Sequence, residues 1–192
     1  MSKDIGPRHG SVTNPPSRAQ IYLQDWQAEG LEAGKFFPQS AAGLQDPFAS
    51  DDIPSNTPPA DGKIASAGQS FAAMLDEARE DWKKHTVSAG QEMEMTWHHH
   101  IPHKTRRWNY FLTKPDWDPT APLTRTQFEA KPFTTVQNSC RPYWSCDDLE
   151  PSGHTTHTLP LPERQGYHVL LSVWEVADTG NAFYQVIDLD FG

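Results

Sequence analysis

Two long apolar segments near the C-terminus constrain the fold of this chain most strongly. Residues 168–177 read HVLLSVWEVA, and residues 181–191 read NAFYQVIDLDF. Both segments are rich in β-branched and aromatic residues, which favour strands, and the DTG between them is typical of a turn. They predict two long strands joined by that turn.

A further segment, MEMTWHHHI at residues 93–101, alternates with a period of two residues. One face carries Met93, Met95, Trp97, His99 and Ile101. The other face carries Glu94, Thr96, His98 and His100. This alternation predicts a strand with one packed and one solvated face. Two sheets packed face to face are the economical architecture for such strands, so we expect an all-β fold, an immunoglobulin-like or fibronectin III-like β-sandwich with a short helix and long loops.

Only SFAAMLDEAREDW, at residues 70–82, has convincing helical periodicity. Its apolar residues, Phe71, Met74, Leu75, Ala78 and Trp82, fall at helical spacing. With Ser70 as N-cap, this spacing predicts a short amphipathic helix whose apolar stripe belongs to the core. Residues 46–62 carry too many prolines and turn formers for a helix or strand, and we expect an extended surface loop there.

Length and charge exclude several classes of function. The 192 residues fit one domain, and 16 Lys and Arg against 25 Asp and Glu give a net charge of -9, which would repel a phosphate backbone. We therefore expect no nucleic-acid partner. The longest apolar runs fall short of the roughly 20 residues that cross a bilayer, so no membrane partner is expected, and residues 1–8 lack the apolar stretch of a secretory signal. An export route is not evident from the sequence.

The two cysteines, Cys140 and Cys146, lie close together in NSCRPYWSCDD. Their even number and short spacing are compatible with one small disulfide, and the alternative is a pair of free thiols. The spacing matches neither CxxC nor a zinc ribbon. A disulfide here favours an oxidising compartment.

Histidine carries the chemical interest, since nine are present and four fall between residues 98 and 103. Most of them have an ordinary explanation. We expect His98 and His100 on a solvated strand face and His99 at a hydrogen-bonded core position. His154 and His157 are expected in a surface loop.

His103 differs, because it follows a proline where the strand ends and where side chains become available at the tip of a sandwich. By position alone it is a weak candidate for a metal ligand.

Five segments together resemble the bacterial lytic polysaccharide monooxygenases of the chitin-binding type 4 family. They are HGSVTNPPSRA (9–19), FFPQSAAG (36–43), DGKIASAG (61–68), HKTRRWNYFLTKPDWDPTAPLTR (103–125) and HVLLSVWEVADTGNAFYQVIDLDF (168–191). They occur in the family order with compatible spacing, from residue 9 almost to the end of the chain. The family fold is the sandwich inferred above.

The resemblance implies one copper ion in a histidine brace formed by His9 and His103. Imidazole and amine nitrogens suit Cu(II), which also stands at the top of the divalent affinity order. The family's first ligand binds through its own α-amine as well as its ring. A nitrogen inside the chain has its lone pair delocalised into the peptide bond, so His9 must become residue one. The resemblance thus divides the chain into a leader or processed segment, 1–8, and the family domain, 9–192.

Further residues of the copper environment follow by motif. Phe183 stands where the family places an apolar ring beside an axial coordination position, and its alternative role is a core phenylalanine. Ile101 replaces a small alanine and would crowd the opposite axial side. Ala42 of PQSAAG replaces a glutamate that positions the oxidant in chitin-active members. The amide of Gln39 or Gln45 would then offer hydrogen bonds but no proton transfer.

A flat face near the copper is expected to bind substrate, since a crystalline polysaccharide presents a plane. By motif the face contains Phe36, Phe37, Pro38, His100, Asp178 and Asn181. Phe36 would stack on a sugar ring, with Asp178 and Asn181 hydrogen-bonding its substituents. The alternative for both phenylalanines is ordinary core packing.

The function implied is copper-dependent oxidative cleavage of β-1,4 bonds in crystalline chitin, at C1, with O2 or hydrogen peroxide and an external electron donor. Cellulose is the alternative substrate, and a secreted monomer is expected. Two other hypotheses stay open. One is a chitin-binding protein or adhesin without redox chemistry, which the loss of glutamate at Ala42 favours. The other is a histidine-rich metal-buffering protein, suggested by HHHIPH.

Overall fold

The two longest strands are the C-terminal pair that the sequence predicts. The structure is a computed structural model that describes residues 9–46, 53–140, 142, 146 and 149–192. Its strands are β1 (Gly10–Asn14), β2 (Glu32–Gly34), β3 (His85–Val87), β4 (Glu92–His99), β5 (Thr105–Leu112), β6 (Thr134–Gln137), β7 (His154–Pro160), β8 (Gly166–Val176) and β9 (Asn181–Phe191). Its helices are α1 (Arg18–Tyr22), α2 (Asp25–Ala28) and two 3₁₀ helices, Ser70–Asp76 and Arg125–Gln127.

The strands form two sheets. The smaller sheet has the order β1-β4-β7, and both of its pairings are antiparallel. The larger has the order β2-β9-β8-β5-β6, with β3 pairing in parallel with one end of β9. The predicted β8–β9 hairpin forms the centre of this sheet. The predicted all-β sandwich is confirmed.

Each face of the larger sheet buries its own apolar cluster, because successive strand side chains point to opposite faces. The cluster between the two sheets includes Val12, Met95, Trp97, Trp108, Tyr110, Leu170, Trp174, Phe183 and Ile187. The cluster on the other face includes Leu31, Phe37, Ile64, Leu75, Phe111, Leu171, Val173 and Tyr184. Described residues between β1 and β3, including both α-helices, cover that second face.

The helix predicted over residues 70–82 is wrong in length and in orientation. A 3₁₀ helix ends at Asp76, and the chain beyond it is irregular. Leu75 and Trp82 are buried as expected, whereas Phe71 and Met74 are each 37% exposed. With three residues per turn, side chains three apart share one face. Phe71 and Met74 therefore point together to solvent instead of joining the core stripe.

The loop expected at residues 46–62 has neither helix nor strand over its described part, 53–62. It is held against the β2 and β9 ends of the larger sheet. The Gly34 N–H donates to the Thr57 carbonyl at 2.9 Å, and the Asn56 N–H donates to the Gly180 carbonyl at 2.8 Å. A Cβ on Gly34 would collide with the Asn56 carbonyl, so this close approach requires glycine.

The alternation predicted for residues 93–101 is confirmed within β4, where Met95, Trp97 and His99 are buried. Ile101 lies beyond the strand and is half-buried.

The surface loop expected around His154 and His157 is wrong, because both lie on β7. His154 is exposed. The His157 ring instead packs against Trp108, with centroids 4.9 Å apart, and is hydrogen-bonded to the Tyr110 hydroxyl at 2.6 Å. An inward strand position gives a histidine a hydrogen-bonded place that a loop does not.

The predicted disulfide is present. The sulfur atoms of Cys140 and Cys146 are joined, with their Cα atoms 6.5 Å apart. Disulfides persist in oxidising compartments. In the described part of the chain, none of the helices combines the length and hydropathy that a membrane span requires.

Candidate functional site

One end of the sandwich gathers most of the residues that the motifs single out. β1 begins there, β4 and β8 end there, and β5 and β9 begin there, as the pairs Gly10–His99 and Thr105–Val176 show. His9 directly precedes β1, and His103 lies in the connection from β4 to β5. The antiparallel pairing thus brings residues far apart in sequence to the same end.

His9 is fixed by its backbone. Its carbonyl accepts from the Ile101 N–H at 3.2 Å, and the next residue, Gly10, donates its N–H to the Glu29 carbonyl at 3.3 Å. The His9 Nδ1 atom is buried and has no hydrogen-bond partner. Burial lowers the pKa of His9, although the carboxylates of Glu29 and Glu32 act in the opposite direction. A neutral imidazole is the form that can coordinate a metal.

Gly10 is required by the ring of Trp174. A Cβ at residue 10 would lie 2.8 Å from Trp174 Cζ3 and 3.1 Å from the His98 carbonyl. These distances are too short for any side chain, so the glycine after His9 lets β1 pass over the tryptophan.

His103 is more enclosed than a tip position predicts, since it is only 5% exposed. Its ring packs against Trp174 and Phe183, with centroids 5.8 Å and 5.7 Å away. Its Nδ1 atom is buried without a hydrogen-bond partner and lies 3.6 Å from Oδ1 of Asp178. The prediction that the His103 side chain is exposed at the tip is therefore wrong, because the rings of Trp174 and Phe183 enclose it.

Phe183 packs against the ring of His103 and also belongs to the core. Its ring is fully buried and stacks on Trp174, with centroids 4.9 Å apart and planes inclined by 27°. The Trp174 Nε1–H donates to the Thr105 hydroxyl at 2.7 Å, which fixes the indole. The two readings of Phe183 are therefore compatible in one side chain.

The residues present fit a metal centre with nitrogen ligands. The Nδ1 atom of His9 is buried without a hydrogen-bond partner, which is costly unless something binds there. The Nδ1 atom of His103 faces Asp178, so the other ring nitrogen of His103 is the one that a metal could use. Within the described ranges, no group of three or more His, Cys, Asp or Glu side chains is arranged for a metal. Two imidazoles alone leave a coordination position to fill, and a free α-amine on His9 would supply that third nitrogen.

A groove of about 870 Å³ lies beside His9. Its lining residues are His9, Thr13, Gln20, Gln24, Asp25, Trp26, Glu29, His98, His100 and Ile101. Ile101 and His100 thus line the same groove as the candidate ligand, and the roles that their motifs imply stay predictions.

Phe36 and Phe37 are buried, so an exposed stacking ring at Phe36 is wrong. Phe36 is 7% exposed and has a positive φ of 77°. Its ring lies among the cations of three side chains, Lys35, Arg106 and Arg107, at 5.1–5.8 Å from its centroid. Phe37 makes edge contacts in the core with Phe111, Phe128 and Tyr184. Core packing, the alternative for both rings, is what the structure has.

The segment after Phe37 lines a different cavity from that of His9. Pro38 is half-buried, and Gln39 is exposed. Gln39 and Gln45 line a cavity of about 380 Å³, and neither lines the groove beside His9. Arg125 fixes this segment by donating to the Pro38 carbonyl at 2.8 Å. An amide role for Gln39 at the metal stays a prediction.

A cluster of charged side chains, most of them buried, packs around the ring of Phe36. Arg107 contacts Glu175 at 2.6 Å and Asp46 at 3.0 Å, and Arg106 also contacts Asp46. Lys35 donates to the Val176 carbonyl at 3.1 Å. Burial, reinforced by the charge of Arg106, lowers the pKa of Lys35 to about 7.

The other two substrate-face residues make contacts within the protein. Asp178 faces His103, as described above. Asn181 donates to Glu32 Oε1 at 2.7 Å and accepts from Asn56 Nδ2 at 2.7 Å. Both the NH2 group and the carbonyl oxygen of the Asn181 amide are hydrogen-bonded within the protein. In this structure Asn181 therefore links the loop at Asn56 to Glu32.

Sequence reasoning missed Trp26, which lines the groove and is 58% exposed. The only signal in the sequence is that its immediate neighbours in QDWQAEG are mostly polar. Tyr22 and Leu23, four and three residues before it, would instead suggest a shared apolar face.

A β-sandwich with two histidine rings at one end, one of them opening the first strand, defines a candidate metalloprotein. The chain belongs to the lytic polysaccharide mono-oxygenase family, since the family profile described as "Lytic polysaccharide mono-oxygenase, cellulose-degrading" matches residues 9–189.

Solved structures agree with this assignment. A chitin binding domain from Burkholderia pseudomallei is 49% identical, with a TM-score of 0.93 over 97% of this chain and 100% of that one. An AA10 lytic polysaccharide monooxygenase from Photorhabdus luminescens is 40% identical, with a TM-score of 0.77 over 96% and 99%. A Bacillus amyloliquefaciens protein solved with Cu(I) is 32% identical, with a TM-score of 0.72 over 96% and 100%. The immunoglobulin-like form of the sandwich is confirmed.

Curated relatives are longer proteins. A GlcNAc-binding protein A from Vibrio vulnificus is 39% identical over 188 residues, covering 94% of this chain and 36% of that protein. The chain thus spans about a third of the length of the curated relatives it matches.

Proposed function

We propose that this protein is a copper-dependent monooxygenase that cleaves β-1,4 bonds in crystalline chitin. The observation that carries the proposal is the buried Nδ1 of His9, which has no hydrogen-bond partner, on a ring at the same end of a family sandwich as the enclosed imidazole of His103. The solved neighbour that contains Cu(I) supports copper as the metal. We propose His9, through its ring and its α-amine, and His103 as the ligands.

Copper would supply the one-electron chemistry, fed by an external donor and using O2 or hydrogen peroxide, and we propose oxidation at C1 of the sugar. Residues of this chain would enclose and orient the metal ligand His103. Trp174 and Phe183 exclude water from one side of His103, and the Asp178 carboxylate faces its Nδ1. Asp178 therefore orients the imidazole and favours a bound cation. Ile101 supplies bulk beside His9 in the groove.

The proposed substrate is chitin, with cellulose as the alternative. Relatives named as a chitin binding domain and as GlcNAc-binding proteins support chitin. The family description "cellulose-degrading" supports the alternative. We propose a secreted monomer, with the family domain at residues 9–192 and residues 1–8 removed before activity.

The test uses the chain that starts at His9, incubated with Cu(II), ascorbate and β-chitin or cellulose. Soluble products are read by mass spectrometry. The proposal predicts C1-oxidised chito-oligosaccharides, and it predicts none from His103→Ala under the same conditions. A stably folded His9-first chain that yields no oxidised product from either polysaccharide contradicts it.

A chitin-binding protein without redox chemistry is the second candidate. Two observations favour it: the curated relatives are named for binding, and Ala42 offers no carboxylate at the family's glutamate position. This candidate predicts sedimentation with chitin and no oxidised product from any form of the chain. The third hypothesis, metal buffering by HHHIPH, predicts several metal ions bound per chain and no affinity for polysaccharide.

A further inference from the structure

We propose that Trp26 forms a stacking subsite for one sugar ring of a neutral β-1,4-linked polysaccharide, beside the candidate copper site. This inference rests on the proposed function and deepens it. Trp26 is 58% exposed, more than any other large apolar side chain of the described residues. A single exposed apolar residue needs no explanation by itself. Trp26, however, is held by neighbouring side chains and lines the groove next to His9.

The indole is held in place from two sides. Its Nε1–H donates to Gln24 Oε1 at 2.8 Å, and its ring packs on Phe71, with centroids 5.7 Å apart. Gln24 itself is ordered, because its N–H donates to the Gln27 side chain at 3.2 Å. A ring fixed before binding loses little conformational freedom when a ligand stacks on it. This arrangement also explains why Phe71 lies outside the core: it supports Trp26.

Trp26 offers the exposed ring for stacking on a sugar that the sequence predicted at Phe36. Phe36 is only 7% exposed and packs among cationic side chains, and the cavity that it lines is not the groove beside His9. Trp26 is the aromatic side chain of the groove that contains His9, so a chain stacked on it would run beside the candidate ligand. A pyranose ring with equatorial substituents presents flat C–H faces, which pack well on an indole.

The polar lining of the groove defines the class of sugar. Gln24, Asp25, Glu29 and His98 offer hydrogen-bonding groups for hydroxyl or N-acetyl substituents. Among the described residues that line it, the charged side chains are Asp25 and Glu29, and neither Lys nor Arg is present. A sulfated or uronic acid polymer would be repelled by these carboxylates, so the groove fits a neutral chain.

The test measures binding of the full chain, residues 1–192, to β-chitin, with the bound fraction followed against protein concentration. Trp26→Ala is expected to weaken binding about 10-fold, and Trp26→Phe, which keeps a ring, less than about 3-fold. Met74→Ala is the matched control, because it removes another exposed apolar side chain that does not line the groove. It should bind as the unchanged chain does. The thermal midpoint should be the same for all variants.

A second readout locates the sugar. Acrylamide quenches the fluorescence of exposed tryptophan, and a soluble chito-oligosaccharide should protect Trp26 from it. That protection should disappear in Trp26→Phe.

Trp26→Ala binding β-chitin as tightly as the unchanged chain overturns the subsite, and oxidised products from the His9-first chain would then leave the proposed function intact. Failure of the unchanged chain to bind β-chitin or cellulose overturns both. Tighter binding of a sulfated polymer than of chitin overturns the neutral class.

Discussion

Nδ1 of His103 and Oδ1 of Asp178 face each other at 3.6 Å, at the end of the sandwich where the β8–β9 hairpin turns. The hairpin that dominates the sequence thus also delivers a carboxylate to a candidate ligand. The sequence motif suggested that Asp178 binds substrate, whereas its position favours a role in orienting the imidazole and balancing the charge of a bound cation.

Asp178→Asn tests that role, because it keeps the shape and removes the charge. We expect the Cu(II) affinity of the chain that starts at His9 to fall about 10-fold. Isothermal titration measures this directly. Asp190→Asn, at an exposed position on β9, is the matched control. If both variants bind Cu(II) as the unchanged chain does, Asp178 has no part in positioning His103.

Gly10→Ala tests the contact between β1 and Trp174. The added methyl group would lie 2.8 Å from the indole, so either the ring or the strand must move. Overpacking of this kind costs about 1–3 kcal/mol in the free energy of unfolding, which urea denaturation measures. Gly153→Ala, where a Cβ meets nothing within 4 Å, is the control. Equal stability of the two variants would show that the contact is not tight.

Acid should weaken the fold through its buried histidines. Burial lowers the pKa of His157 to about 4 and that of His99 to about 3. The unfolded chain takes up these protons near pH 6.5, so below that pH it binds more protons than the folded chain does. The free energy of unfolding therefore falls as the pH falls from 6.5 towards 4, by up to about 1.4 kcal/mol per pH unit for each histidine.

Urea unfolding at pH 7 and pH 5 checks this sign. His157→Gln removes one of these titrating groups, so its loss of stability between the two pH values should be smaller than that of the unchanged chain. A loss of the same size would mean that His157 is not kept neutral by burial.

The charge cluster below Phe36 should be essential for folding. Asp46 contacts both Arg106 and Arg107. The side chains of Asp46 and Arg106 are buried, and that of Arg107 is 17% exposed. Asp46→Asn leaves these cations with less compensation, which costs about 3–5 kcal/mol for a buried pair. Asp81→Asn, which breaks an exposed pair with Arg79, should leave the unfolding midpoint unchanged. Similar midpoints for the two variants would contradict the structural role of Asp46.

The sequence is informative where one physical signal dominates. β8 and β9 are long and buried on both faces, and β4 alternates cleanly, so composition and period were enough to predict them. His9 and His103 were singled out as ligands by the resemblance to the family, because by position alone His103 is a weak candidate.

The rest depends on tertiary contacts that no local pattern encodes. Phe36 is equally compatible with a sugar platform and with a core ring, and only the buried arginines around it decide. Phe71 has the spacing of a core residue, yet the 3₁₀ geometry turns it outward to support Trp26. Both misplaced aromatic residues are held by contacts with segments distant in sequence, which no local pattern encodes.

The central claim is that His9 and His103 hold one copper ion once His9 has a free α-amine. Cu(II) titration followed by electron paramagnetic resonance, on the chain that starts at His9 and on the chain with residues 1–8 in place, tests it most directly. We predict one site with nitrogen ligands in the His9-first chain, at least about 100-fold tighter than in the longer chain and lost in His103→Ala. Equal Cu(II) affinity and the same spectrum for the two chains would contradict the account.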